Sequence, residues 1–208
     1  VIMDEAYMEF VDPNDKFGSL STLSLLDTYD NFLCLRTFSK AYGLAGMRVG
    51  YGTGSEELIR VMQKVLLPYH VNNFSLLVAE LAYQEQELLR SRVAAAVRER
   101  KKISKALEDL GFRVFPSATN FVMFQPREEQ AFSLVKAALN MGYKLEGNNQ
   151  EMAGTVIFSQ LMGEKILVRN FSKHPALPGA IRLTVGTEAE NLKIIQVLQN
   201  ICKLDEEA

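Results

Sequence analysis

The chain is 208 residues long, 48% apolar, and balances 23 Lys and Arg against 25 Asp and Glu. That fits one large or two small globular domains, and basic residues scattered among acids, with no stripe, argue against a nucleic-acid partner. No run approaches 18 consecutive apolar residues, so no transmembrane helix is expected, and two Cys and two His without ligand spacing argue against a metal site.

Val1-Ile2-Met3-Asp4 reads as the middle of a strand buried on both faces, with no initiator methionine and no signal-peptide layout. A chain that begins inside its own sheet is expected to be a fragment. A polar turn follows at Asp12-Pro13-Asn14-Asp15, then a Ser/Leu-rich stretch suited to a short helix. Phe32–Leu35 is a second buried strand. Cys34, inside it, and Cys202 are expected as free thiols in a reducing compartment, hence a cytoplasmic protein, a plastid form being the alternative. Val49–Tyr51 is a third strand, closed by Gly52-Thr53-Gly54, and Ser55 caps a helix expected to reach Leu67 and stop at Pro68. Phe74–Leu110 is helical in character with a break near Gln84–Glu87, and Gly111 ends it.

Beyond Gly111 the pattern changes to a mixture of strands and helices. Arg113–Phe115, Phe121–Phe124, Ile166–Val168 and Ile181–Val185 read as strands and Glu128–Asn140 as a helix. Thr187 and Glu190 form a capping box for a last helix with Leu192, Ile195, Leu198 and Ile201 on its apolar face. The whole is an α/β chain with a smaller α+β domain at its end.

The segment richest in chemistry is Thr37-Phe38-Ser39-Lys40-Ala41-Tyr42-Gly43-Leu44-Ala45-Gly46-Met47-Arg48-Val49-Gly50. It follows a buried strand, and it sets an amine among hydroxyls, a guanidinium and glycines, a set suited to an anion. A phosphate loop of the Walker type does not fit, because the glycines follow the lysine. A dinucleotide site at Gly50–Gly54 does not fit either, because its third glycine is misplaced and no acid lies near position 70.

Ser39-Lys40-Ala41-Tyr42-Gly43-Leu44-Ala45-Gly46-Met47-Arg48-Val49-Gly50 resembles the cofactor-lysine signature of class I/II aminotransferases. The resemblance implies the type I pyridoxal-phosphate fold: a partial large domain over residues 1–86, then a small α+β domain over 87–208. It makes Lys40 the lysine that holds pyridoxal 5'-phosphate and moves the substrate proton. Thr37, Ser39 and Arg48 would then hold the cofactor phosphate. Asp4-Glu5-Ala6-Tyr7 lies 36 residues before Lys40. By the same resemblance Asp4 pairs with the pyridine nitrogen and Tyr7 with the ring oxygen, while Glu5 is read as structural.

Leu167-Val168-Arg169-Asn170-Phe171-Ser172, with Leu177-Pro178-Gly179 and Arg182-Leu183-Thr184-Val185-Gly186-Thr187, is similar to histidinol-phosphate aminotransferases. There, residues matching Arg182 and Arg169 bind the amino acid α-carboxylate and the substrate phosphate. Without the family, Arg182 in an apolar strand reads as a buried cation in need of a partner, which an internal salt bridge or a substrate carboxylate would supply. The expected reaction is transfer of the amino group of histidinol phosphate to 2-oxoglutarate. An aromatic amino-acid aminotransferase, a phosphothreonine decarboxylase and a catalytically silent fragment are the alternatives. Tyr143–Lys165 reads as an insertion. The family's amino-terminal half, which completes the cofactor cradle, is not in this sequence, so the 208-residue chain by itself is expected to be inactive and a homodimer is expected of the complete protein.

Overall fold

The computed structural model describes residues 1–12 and 21–203. The expected turn at 12–15 lies outside them except for Asp12. The chain divides into two compact units, Val1–Val97 and Arg98–Ala208, and each is described by itself.

The first unit holds a three-stranded sheet of β1 (Ile2–Asp4), β2 (Leu33–Thr37) and β3 (Gly50–Gly54) in that order. β1 runs parallel to β2 with Asp4 opposite Leu35, and β3 runs antiparallel with Gly50 opposite Thr37. Phe32, Leu33 and Cys34 are buried as expected, but β1 is not: Ile2 is 67% exposed. The reason is its place at the edge of the sheet, where among the described residues β2 alone pairs with it. Gly52, Thr53 and Gly54 belong to β3 and do not close it. Gly50 is required there, since a Cβ would sit 2.7 Å from the Arg36 carbonyl oxygen across the strand pair. Thr22–Asp27 is a 3-10 helix within the Ser/Leu-rich stretch.

α1 (Glu56–Gln63) is capped by the Ser55 hydroxyl, which accepts from the Leu58 amide at 3.4 Å. It ends four residues before Leu67, with Val65, Leu66 and Leu67 exposed in the segment after it. α2 (Asn73–Gln84) and α3 (Gln86–Asp109) are separated by Glu85, where the break was expected. Asn72 caps α2 through its side-chain oxygen. Gly111, at φ +85°, ends α3 with the Phe112 amide donating to Leu107 O at 3.1 Å.

The second unit carries an antiparallel sheet, β4 (Arg113–Phe115), β5 (Phe121–Gln125), β7 (Ala180–Thr184) and β6 (Arg169–Phe171), in the order β4-β5-β7-β6. Alternation sends Val122, Phe124, Ile181 and Leu183 to one face, all buried. Against that face pack α4 (Glu128–Asn140), α5 (Asn149–Gly163), α6 (Glu188–Lys203) and the end of α3 through Ile103 and Leu107. Each such large side chain contributes roughly 1.5–3 kcal/mol by leaving water. The segment read as an insertion is therefore core: Ala153, Val156, Ile157 and Leu161 of α5 are buried.

Two expectations fail here. Ile166–Val168 is not strand, and β6 begins at Arg169. The Ile166 amide is taken by Leu161 O at 2.9 Å, closing α5, so the ladder starts later. The buried face of α6 is Asn191, Ile194, Leu198 and Ile201, while Leu192 is 64% exposed. The buried Asn191 side chain explains this rotation: it accepts from the Gly186 amide at 3.0 Å and donates to Gly186 O at 3.1 Å and Glu99 at 3.0 Å. The Thr187–Glu190 capping box forms, with the Thr187 amide donating to Glu190 at 2.7 Å. Among the described residues no helix is long and apolar enough to cross a membrane.

Candidate active site

Because β1 and β2 are parallel, their carboxy ends share one edge, and both lead directly into chemistry-bearing loops. Asp4 is the last residue of β1, exposed, and its carboxylate accepts from the Ala6 amide at 3.0 Å. Three residues after Asp4, the Tyr7 ring lies under the Lys40 ammonium, which is 5.2 Å from its centroid, within cation–π range. The structure thus brings Tyr7 and Lys40 together at the edge where Asp4 ends its strand.

The loop that carries Lys40 is shaped by its own backbone. The Phe38 amide donates to Val49 O at 3.1 Å, Leu44 to Phe38 O at 3.0 Å and Gly43 to Lys40 O at 3.0 Å. Gly43 takes φ +72°, which closes the turn after the lysine. Apolar residues pin the loop from two sides. Ala41 packs with Phe10 and Leu89, whereas Phe38 and Val49 pack with Ala79 of α2. Lys40 between them remains exposed.

Thr37 Oγ1 accepts from the Ser39 amide at 3.0 Å, which folds the two hydroxyl residues together. Arg48 stands in the left-handed region at φ 56°, ψ 42°, a conformation that costs a non-glycine residue about 1 kcal/mol. Its guanidinium donates to Ala45 O at 2.9 Å. Between Thr37 and Gly50 there is no acid. Two hydroxyls, a guanidinium and an ammonium in a segment without an acid are a donor set that fits a phosphate ester with a reactive carbonyl, the two ends that pyridoxal phosphate presents.

Glu5, read as structural, heads a buried network behind this edge. Its carboxylate accepts from the Thr22 amide at 2.5 Å, the Thr22 hydroxyl at 2.8 Å and Arg36 at 2.8 Å. Burial opposes ionisation, but the hydrogen bonds from Thr22 and Arg36 outweigh it and lower the Glu5 pKa from 4.5 to about 2. Glu9, 4.0 Å from Arg36, goes the other way, because burial dominates and raises its pKa.

Arg169 and Arg182 lie in the second unit as register partners on β6 and β7. Partners across an antiparallel pair share a face, with Cβ atoms about 4.5–5.5 Å apart. That face is the one turned away from the core. Its strand residues also include Phe121 and Phe171, and Arg182 lies over both rings, 5.0 Å and 5.9 Å from their centroids. Arg182 is half-buried, not buried as expected, because alternation turns it away from the core face; among the described residues no carboxylate pairs with it. Arg169 is exposed. The aromatic cradle of Arg182 was not anticipated, although strict alternation along β5 and β6 places Phe121 and Phe171 on the arginine face.

The family model for class I and II aminotransferases matches residues 1–198. The chain is 35% identical over 204 residues to a histidinol-phosphate aminotransferase of Lysinibacillus sphaericus, covering 98% of this chain and 48% of that protein. It spans about half the length of the curated relatives it matches. The histidinol-phosphate aminotransferase of Sinorhizobium meliloti, solved in complex with pyridoxal-5'-phosphate, superposes with a TM-score of 0.71 at 24% identity, over 97% of this chain and 48% of that one. L-threonine-O-3-phosphate decarboxylase of Porphyromonas gingivalis gives a TM-score of 0.71 at 20% identity, over 97% and 55%. The fold is that of the pyridoxal-phosphate-dependent transferases, and the chain belongs to the class I and II aminotransferase family.

Proposed function

We propose that the chain forms part of a pyridoxal-phosphate-dependent aminotransferase that converts histidinol phosphate and 2-oxoglutarate to imidazole acetol phosphate and glutamate. One observation carries the anionic substrate: Arg169 and Arg182 face each other in register on one sheet face, and among the described residues no carboxylate pairs with either. Like charges in that position destabilise a strand pair by roughly 0.2–1 kcal/mol, and a bound anion reverses the sign. The likeness to the Lysinibacillus enzyme supports the particular substrate.

Pyridoxal phosphate, when bound, supplies the electron sink that makes the substrate Cα–H acidic. In this reading residues 1–86 belong to the cofactor-binding domain and 87–208 form the small domain. Thr37, Ser39 and Arg48 hold the phosphate, Asp4 keeps the proton on the pyridine nitrogen, and Tyr7 donates to the ring oxygen. Lys40 would hold the cofactor, and its amino group would take the Cα proton and return it to the product side. Arg182 grips the α-carboxylate of glutamate through its planar fork, while Arg169 takes the phosphate of histidinol phosphate. The complete protein acts as a homodimer in the reducing cytoplasm.

The decarboxylase likeness motivates a second reading in which phosphothreonine loses its carboxylate. Histidinol phosphate has no carboxylate to lose, so the two reactions separate cleanly. In the complete protein, glutamate formation from histidinol phosphate and 2-oxoglutarate is expected to exceed that from tyrosine or phenylalanine. Carbon dioxide release from phosphothreonine without amino transfer would overturn the proposal.

A further inference from the structure

The loop that joins β6 to β7 is held by α5. Gly154 in the second turn of α5 has no room for a side chain: a Cβ would stand 2.5 Å from Ser172 Oγ, 2.6 Å from Gly179 Cα and 2.6 Å from Gly179 O. Gly179, at φ +77°, is tight in return, since its Cβ would meet the Gln150 carbonyl oxygen at 2.5 Å. The two glycines therefore put helix backbone directly against the residue pair that opens the hairpin. That pair is closed by the Gly179 amide donating to Ser172 O at 2.9 Å. The Asn170 side-chain oxygen draws the strand end in, accepting from the Ser172 amide at 2.8 Å and its hydroxyl at 2.5 Å.

Arg169 precedes Ser172 by three residues and Arg182 follows Gly179 by three, so the contact sits at the base of the arginine pair. We propose that Gly154 is a positioning residue: its backbone contact with Ser172 and Gly179 sets where the β6–β7 hairpin lies on the core, and so how Arg169 and Arg182 converge on an anion. This deepens the substrate reading above and rests on it. A side chain at 154 displaces the hairpin by an ångström or so, and misplacement of that order costs up to about a hundredfold in a preorganised site.

The test uses the complete protein with Gly154→Ala, beside Gly163→Ala in the same helix, where a Cβ meets nothing within 4 Å. Gly154→Ala is expected to raise KM for histidinol phosphate and 2-oxoglutarate about tenfold, with kcat within about twofold. It is also expected to shrink the rise in melting temperature that 2-oxoglutarate gives. Gly163→Ala should leave KM and that rise unchanged. If Gly154→Ala does not fold, Asn170→Ala, which loosens the same hairpin end without entering the helix, carries the test with a smaller shift in the same direction. An unchanged KM in the folded variant, or a fall in kcat alone, overturns the positioning role. Arg169→Ala and Arg182→Ala run in parallel. If they too bind both substrates normally, the anion reading itself fails; if they do not, only the inference about Gly154 does.

Discussion

The two sets of candidate site residues are held in opposite ways. Around Lys40 the geometry is local: amides at 38, 43 and 44 bond within the 37–50 segment, Gly43 turns the chain, and a few apolar side chains anchor it. Around Arg182 the geometry is non-local: β6 and β7 pair in a sheet that is backed by an apolar core built from α3, α4, α5 and α6. A loop of the first kind is written into a short contiguous motif. A strand pair of the second kind depends on residues spread over nearly a hundred positions, and its tolerance to substitution should differ accordingly.

The sharpest division between the two should come from Lys40→Ala. It removes the amine from an exposed loop position, so in the complete protein amino transfer should fall by a factor on the order of 10⁴ or more while the melting temperature barely moves. Steady-state rates beside thermal melts decide it, and a large melting shift would show that the loop is less self-contained than its hydrogen bonds suggest. Next, Phe124→Ala empties a fully buried position packed edge-on against Phe112, 5.1 Å between centroids, and should cost about 3–5 kcal/mol in urea unfolding. A cost under about 1 kcal/mol would mean the core behind the arginine face can collapse around the gap.

The Glu5 network tests the support behind the first unit. Its folded pKa of about 2 lies below the ordinary 4.5, so the stability it contributes is present above pH 4.5 and is lost as pH falls toward 2. The shift corresponds to something on the order of 3 kcal/mol, and Glu5→Gln should lose that pH dependence over the same window. Acid titration of stability in the two proteins checks the sign: parallel curves would remove Glu5 as the cause. Smallest is Lys165→Gly. Lys165 sits at φ +61° just past α5, with the Ile166 amide donating back to Leu161 O, a helix end that favours glycine. The substitution should stabilise by about 1 kcal/mol, read as a raised urea midpoint.

Legibility followed the same divide. β4 over Arg113–Phe115 and α4 over Glu128–Asn140 appear as expected, because alternation and a polar-to-apolar period are written in adjacent residues. The break at Glu85 and the Thr187–Glu190 box were legible for the same reason. α5 was not: its buried residues at 153, 154, 156, 157 and 161 share one face, but the apolar Met152, Phe158 and Met162 continue around the rest of the helix and blur the amphipathic stripe that marks one. Ile166–Val168 misled in the other direction, since an apolar run becomes strand only where a neighbour offers a ladder; Leu167 is 82% exposed. On α6 a one-residue rotation was hidden because the buried residue is Asn191, whose amide serves the Gly186 turn.

By itself the sequence determined the membership of the family, the Lys40 loop with its hydroxyls and guanidinium, and most local elements, all of which depend on near neighbours along the chain. Only the tertiary structure decided that Arg169 stands opposite Arg182, that Phe121 and Phe171 cradle the latter, and that Gly154 lets α5 reach the hairpin. Those are matters of register and of backbone approach, set by packing between segments whose separation in sequence no periodicity records.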